Sequence, residues 1–220
     1  MADNLLVADN VARVKFFAVA IKKFDHNSHA GVLFVGQGKS ERQGKLWLMH
    51  LGEPGELAIE KWDESWGWCA VHALKREELR QLAVLCDYVS DAKEQIPYGF
   101  KYSSATRFTR DGRLTLADGH KGLTCSTFVL ALLASYEIIL LDFATWPERS
   151  EDEKWFRWLS EYHKDPGIAA EFPCLRYRPE EVIAGCLSDS IPLSFTSASA
   201  TASQVLSKLE GHRIRRREGI

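Results

Sequence analysis

Residues 28–51 read SHAGVLFVGQGKSERQGKLWLMHL, and this stretch decides the fold. Two apolar runs, His29–Val35 and Lys45–Leu51, flank the glycine-rich segment GQGKSERQG, a pattern typical of two strands joined by a turn. The first run is nearly all apolar, which predicts a central strand. If the two strands form a hairpin, His29 and His50 become neighbours at one edge of the sheet.

The pattern extends on both sides of this hairpin. Residues 13–21 are β-branched and aromatic, and LAIEKW at 57–62 is a shorter run of the same kind. Together these segments predict an antiparallel meander. From Lys75 to Val89 the apolar residues recur at helical spacing, which predicts a helix that Pro97 follows. Residues 101–121 are rich in Ser, Thr, Arg, Asp and Gly and predict a long loop, of the kind that is often functional.

The second half of the chain predicts several helices. Thr124 is a suitable N-cap, which places Cys125 in the first turn of a helix. The apolar face of this helix is predicted to consist of Phe128, Val129, Leu132, Leu133 and Tyr136. Further helices are expected from Ser150 to about Tyr162 and from Pro179 onward.

The C-terminal segment predicts a separate region. Residues 194–203, SFTSASATAS, are expected to form a flexible linker before a short helix and the basic tail HRIRRR at 212–217. We therefore expect an α+β catalytic domain at 1–193, with about five antiparallel strands packed against the Cys125 helix and extra C-terminal helices. Residues 194–220 are expected to hold the linker, helix and tail.

Composition narrows the class of protein. The chain has 220 residues, 45% of them hydrophobic, and a net charge of −2, which gives no general reason to expect nucleic acid as a partner. No apolar run reaches the ~18 residues that a membrane span requires, and the N-terminus lacks a signal-peptide pattern. Five cysteines without a C-x-x-C pair suit a reducing compartment. We expect a cytoplasmic protein without stable membrane insertion, although an effector exported without a signal peptide has the same features.

Cys125 is the best candidate nucleophile among the five cysteines. The unpaired N–H groups and the dipole at a helix N-terminus stabilise a thiolate. Cys69, Cys86 and Cys186 lie in apolar contexts and are expected to be core residues, and Cys174 lies in a loop.

The base for this thiol is expected to be His29. It follows a polar turn and opens a buried strand, which would hold its ring rigidly at the rim of the sheet. His50 on the next strand would then orient the base, following the logic of a catalytic triad.

Two segments carry a family resemblance. Residues 28–38 with Trp47–Leu51 resemble the histidine-containing hairpin of the NlpC-type papain-like superfamily, and Pro97–Phe100 with Leu123–Val129 resemble its nucleophile half. The histidine half comes first here, which is the order of the circularly permuted branch that includes permuted amidases and lecithin retinol acyltransferase-like enzymes. The chain departs from the family pattern at Thr124 and Thr127, where the family has Asp and Gly.

The resemblance implies a permuted papain-like fold and a role for each matching residue. Cys125 would be the nucleophile, His29 the base, His50 the orienting residue, and Tyr98 the tyrosine whose hydroxyl helps to hold the oxyanion. It implies no metal and no organic cofactor. The expected function is a cysteine peptidase or amidase that cleaves an amide bond in a peptide-like or acyl small-molecule substrate, and peptidoglycan-type peptides are the substrate class that the resemblance implies. The alternatives are an acyltransferase or thioesterase acting on lipid esters and a catalytically inactive papain-like binding module.

Other motifs carry less weight. GQGKS at 36–40 lacks the spacing of a phosphate-binding loop, and no second ligand pair completes a zinc site with Cys69 and His72. A serine hydrolase is unsupported because no G-x-S-x-G occurs.

Overall fold

The computed structural model describes residues 6–7, 10–25, 27–38, 41–52 and 55–218, and its main element is an antiparallel sheet. The strands are β1 (Leu6–Val7), β2 (Phe17–Lys23), β3 (Ser28–Val35), β4 (Leu46–Leu51), β5 (Leu57–Glu60) and β6 (Gly67–Cys69). They lie in the order β1-β6-β2-β3-β4-β5. The four predicted strands and their meander are confirmed, and two short strands extend the sheet beyond β2 to six, against the predicted five or so. The fold class is α+β, as predicted.

Both faces of the sheet are covered. Along β2, Val19 and Ile21 point into the main hydrophobic core, whereas Ala18 and Ala20 pack on the opposite face against tryptophans such as Trp66. This double burial explains why the central strands are apolar without interruption rather than alternating.

The helices follow the predicted order. They are α1 (Arg76–Ala92), α2 (Cys125–Ala134), α3 (Asp152–His163), α4 (Pro166–Ala169), α5 (Pro179–Cys186) and α6 (Phe195–Glu218). Helices α1, α2 and α5 cover the main face of the sheet. None of the helices in the described part of the chain is long and apolar enough to cross a bilayer.

Helix α2 differs from its predicted form. All residues from Ser126 to Ala134 are buried, so the helix has no single apolar face, and Tyr136 lies beyond its end. The reason is its position, because the sheet, α1, α5 and a small hairpin surround it. The nucleophile candidate therefore lies at the end of a helix that the core holds on every side.

The prediction of a flexible linker at 194–203 is wrong. These residues form the first part of α6, a helix of 24 residues rather than a short one. Its buried apolar residues repeat at intervals of three and four and pack against α5 and β2: Ala198, Ala202, Val205 and Leu209. The small side chains at 194–203 allow this close packing. A segment rich in small residues is also typical of a linker, which is why the sequence predicted one. The basic residues 212–217 continue the helix.

The predicted loop at 101–121 contains a short hairpin and is held by hydrogen bonds. It contains a hairpin of two-residue strands, β7 (Arg107–Phe108) and β8 (Leu114–Thr115). The Phe108 N–H donates to Ser135 Oγ at 2.9 Å, and the Ala117 N–H donates to Thr106 Oγ1 at 3.0 Å. The loop is therefore tied to the end of α2.

The glycine-rich turn between β3 and β4 is held by a carboxylate. Asp87 on α1 accepts the N–H groups of Gln37 at 2.5 Å and Gly38 at 2.8 Å. A Cβ at Gly36 would lie 2.3 Å from the Arg42 carbonyl oxygen, so the tight turn requires glycine there. The amides that a phosphate loop would offer its ligand are occupied by the protein's own Asp87.

Candidate active site

A small cavity lies where the edge of the sheet meets the start of α2 and the side of α3. Its volume is about 90 Å³, and its lining includes His29, Tyr98, Cys125, Trp155 and Arg176. Three of the four residues predicted for the site thus share one cavity, and the fourth, His50, contacts it through His29.

The two predicted histidines are neighbours, as expected from the hairpin. His29 Nε2 lies 3.0 Å from His50 Nδ1, and the ring planes are almost perpendicular. Gly31 makes this contact possible, because a Cβ at that position would lie 2.9 Å from the Cβ of His50. The H-x-G pattern of β3 is therefore a steric requirement of the histidine pair.

Glu60 extends the pair to a third member. Its Oε1 lies 3.3 Å from His50 Nε2, across the β4–β5 ladder. Glu60 was not among the predicted site residues. It could have been found from the register of β4 and β5, which pairs His50 with Ala58 and places Glu60 two residues further along the same face.

These bonds determine the tautomers. A carboxylate only accepts, so His50 donates to Glu60 from Nε2 and accepts at Nδ1. His29 must then donate from Nε2, which leaves its Nδ1 with the lone pair. The chain of bonds therefore sets His29 in the tautomer with the lone pair on Nδ1, which is the tautomer that a base requires.

The environment of His50 favours its neutral form. Burial, followed by the proximity of His29, lowers the pKa of His50, and the bond to Glu60 opposes this shift. The ring of Trp66 covers both histidines, with centroid distances of 5.7 Å to His29 and 5.3 Å to His50. A neutral His50 can accept from His29, which a protonated one cannot.

Cys125 is the first residue of α2, and the predicted N-cap is confirmed. The Thr127 N–H donates to Thr124 Oγ1 at 3.3 Å, and the Thr124 N–H donates to Thr127 Oγ1 at 2.7 Å. Thr127 thus completes a reciprocal capping box. Within an α-helix the N–H groups of the first turn have no intrahelical acceptor, so the amide of Cys125 is a donor for a bound oxyanion.

The Cys125 thiol differs from the prediction of a stabilised thiolate. Burial raises its pKa, and this effect outweighs the N–H of Ala30, the two donors of Ser126 and the charge of Arg176, which act in the opposite direction. The resting sulfur is therefore a neutral thiol, surrounded by donors that can stabilise it once the proton has left.

The remaining cysteines are buried core residues, whereas Cys125 is partly exposed. This agrees with the prediction for Cys69, Cys86 and Cys186, and it adds Cys174, which packs among aromatic residues beneath α3. Burial raises the pKa of Cys174 to about 11. Cys125 is the accessible thiol among these five.

Tyr98 reaches the cavity through a tight pairing of two backbone segments. The Leu123 N–H donates to the Pro97 carbonyl at 2.8 Å. A Cβ at Gly99 or at Gly122 would fall 2.5 Å or 1.9 Å from the opposite backbone. The two glycines thus bring the Tyr98 segment against the segment that leads into Cys125.

Among the described residues, His72 and His120 lie outside the lining of this cavity. His72 lies 3.6 Å from the exposed Asp189, and His120 lies 3.3 Å from Thr106 Oγ1. His26 falls outside the described residues. Within the described ranges, no group of three or more His, Cys, Asp or Glu side chains could hold a metal ion.

Arg176 and Trp155 belong to the part of the cavity wall that was not predicted. They come from distant parts of the chain and carry no local motif. The Arg176 guanidinium lies 3.7 Å from the centre of the Trp155 ring. Their place beside the cavity depends on how α3 packs against the rest of the domain, which the sequence pattern does not indicate.

Comparison of the chain with protein-family models, curated proteins and solved structures gives no match. The evidence for a function therefore comes from the geometry of the cavity and from the motifs of the sequence.

Proposed function

We propose that the protein is a cysteine hydrolase of the amidase or peptidase type, with a permuted papain-like arrangement, Cys125 as nucleophile and His29 as base. The observation that carries the proposal is the hydrogen-bonded chain from Glu60 through His50 to His29. It ends in the cavity that also holds Cys125 at the start of a helix. In chain order the histidine hairpin precedes the nucleophile helix, which is the permuted order.

The proposed reaction begins with a neutral thiol. His29 Nδ1 takes the Cys125 proton as the sulfur attacks the carbonyl carbon, and the carbonyl electron pair moves onto oxygen. The amide of Cys125 and the hydroxyl of Tyr98 are the donors for this oxyanion. The C–N bond then breaks, the amine leaves with the proton from His29, and a thioester remains. Water, deprotonated by His29, hydrolyses the thioester and restores the thiol.

His50 and Glu60 act through His29. The imidazolium formed in the first step gives a stronger hydrogen bond from Nε2 to the His50 lone pair. Glu60 keeps that lone pair on Nδ1 by accepting from the other nitrogen. Both are positioning residues in this scheme.

The size and charge of the site favour a small amide substrate over a lipid. A cavity of about 90 Å³ is smaller than the ~150 Å³ cavity that holds a benzene molecule. The groove that adjoins it carries charged residues, among them Lys23, Glu151 and Lys154, beside apolar ones such as Trp158. Amides of peptidoglycan-type peptides are the substrate class that the family resemblance favours.

The test is alkylation of Cys125 by iodoacetamide, followed by peptide mass spectrometry between pH 5 and 10. We expect a shoulder near neutral pH that depends on His29, followed by a second rise above the ordinary thiol pKa of ~8.5. In His29→Ala the shoulder should disappear, and the rate at pH 7 should fall on the order of 100-fold, the lower range for general-base effects.

His72→Ala is the matched control, because His72 lies outside the cavity. It should label like wild type. Cys125→Ala should abolish cleavage of any peptide amide that the wild type hydrolyses, with an unchanged circular dichroism spectrum. Equal labelling of Cys125 in wild type and His29→Ala would instead favour an inactive binding module.

A further inference from the structure

The cavity that contains Cys125 is positively charged at one end. Among the described residues that line it, Arg176 alone carries a permanent charge, and none is an aspartate or glutamate. An acid-lined cleft, which would suit a cationic substrate, is therefore not what these residues form.

Arg176 is held in a fixed orientation. Its guanidinium lies against the ring of Trp155, and its Nη1 donates to Asp152 at 3.1 Å. Asp152 is 2% exposed and also accepts from Arg149 at 2.9 Å and from Arg178 at 2.8 Å. A guanidinium has five N–H donors, so one bond to Asp152 leaves several for a ligand, and Arg176 lines the cavity.

Arg176 shares its carboxylate partner with two other arginines. Asp152 accepts from Arg149, Arg176 and Arg178, while Glu181 pairs with Arg149 and Glu151 with Arg178. Burial lowers the pKa of Arg176, and Asp152 opposes this shift, but guanidinium groups remain charged in proteins. Because Asp152 is shared, it neutralises Arg176 only in part, and this arrangement favours an anion in the cavity.

We propose that Arg176, with the aromatic side chains of Trp155 and Trp158, forms a subsite for a carboxylate that the substrate carries close to its scissile amide. The inference rests on the proposed function, because it assigns a substrate class to the same site. One cationic side chain in the lining and a small cavity fit a monovalent, planar carboxylate, which an arginine binds through paired N–H donors. The rest of the substrate would occupy the adjoining groove, which shares Trp155, Trp158 and Arg176 with the cavity.

The test compares two alkylating reagents of nearly equal size. Iodoacetate carries a carboxylate and iodoacetamide a neutral amide, and each forms a C–S bond with Cys125 and releases iodide. We define the anion preference as the iodoacetate rate divided by the iodoacetamide rate, normalised to the same ratio for the unfolded protein. A subsite at Arg176 should raise this value roughly tenfold, at the lower end of electrostatic focusing.

Three variants locate the effect. Arg176→Gln should return the preference to about one, and Arg176→Lys should retain most of it. Arg157→Gln is the matched control, because Arg157 pairs with Glu153 on the exposed side of α3 and lines neither the cavity nor the adjoining groove. It should keep the preference. If Arg176→Gln does not fold, the wild-type ratio decides: a value near one contradicts the proposal.

Protection gives a second readout. N-acetylalanine should slow iodoacetamide labelling of Cys125 at concentrations where N-acetylalanine amide does not, and this difference should vanish in Arg176→Gln. The proposal is wrong if the two compounds protect equally, or if Arg157→Gln loses as much preference as Arg176→Gln. The proposed function and the carboxylate subsite can fail independently. His29→Ala tests the proposed function and should slow both reagents while leaving their ratio unchanged, whereas Arg176→Gln tests the subsite through that ratio.

Discussion

The two walls of the cavity are built in different ways. The sheet wall is formed by His29, with His50 and Glu60 behind it on the next two strands, and its hydrogen bonds follow the register of the ladder. The helix wall contains Cys125, Trp155 and Arg176 from separate elements, and a buried cluster of charges joins Arg176 to the start of α3. In the proposed mechanism, the sheet wall determines where the proton goes, and the helix wall determines what binds beside it.

The largest effect is expected where the helix wall is anchored. Arg149 is buried and bonds to Asp152, to Glu181 and to the Arg176 carbonyl. Arg149→Met would leave two buried carboxylates with fewer partners, at a cost of about 3–5 kcal/mol in the free energy of unfolding. Urea denaturation measures the loss.

Arg157→Met is the control for this substitution, because Arg157 pairs with Glu153 on the exposed side of α3. It should cost less than about 1 kcal/mol. Equal losses in the two variants would mean that the charged cluster does not anchor the helix wall.

A smaller effect is expected at the centre of the sheet wall. His50→Ala removes the acceptor for His29 Nε2 and should slow alkylation of Cys125 at pH 7 roughly tenfold, equivalent to ~1.4 kcal/mol. His50→Asn places an amide oxygen near the position of Nδ1 and should recover most of the rate. If alanine and asparagine behave alike, His50 does not act as the acceptor that orients His29.

The smallest effect concerns pH and stability. Since burial and His29 lower the pKa of His50 in the folded protein, the unfolded chain binds the proton more readily. Stability should therefore decline as the pH falls from the ordinary histidine value of ~6.5 through the lower folded value. His50→Asn should lose this component and show a flatter decline between pH 7 and 5 in urea denaturation, whereas His72→Ala should keep the wild-type slope.

The sheet wall could largely be predicted from sequence. Strands have a period of two residues, and a glycine-rich turn joins β3 to β4, so neighbouring His29 and His50 follow from local pattern. The N-terminus of α2 was equally local, since Thr124 directly precedes Cys125. Glu60 was missed because its place depends on the exact register of a fourth strand.

The helix wall could not be predicted in the same way. Arg176 and Trp155 meet through packing between segments about 20 residues apart in sequence, each placed against a third part of the chain. Helix α6 was mistaken for a linker because small residues such as Ala198 and Ala202 indicate flexibility when exposed and close packing when buried. Burial, which decides between the two, is a property of the whole fold.

The aromatic cluster beneath α3 is separate from the main core. Phe100, Phe156 and Ile168 pack there, whereas α2 is embedded among residues of the sheet, α1 and α5. Substitutions that reshape α3 and α4 should therefore leave the packing around α2 unchanged. Under the proposed function, such a chain can exchange one substrate for another over evolutionary time through changes in α3 and α4, while the proposed reaction at Cys125 is inherited unchanged.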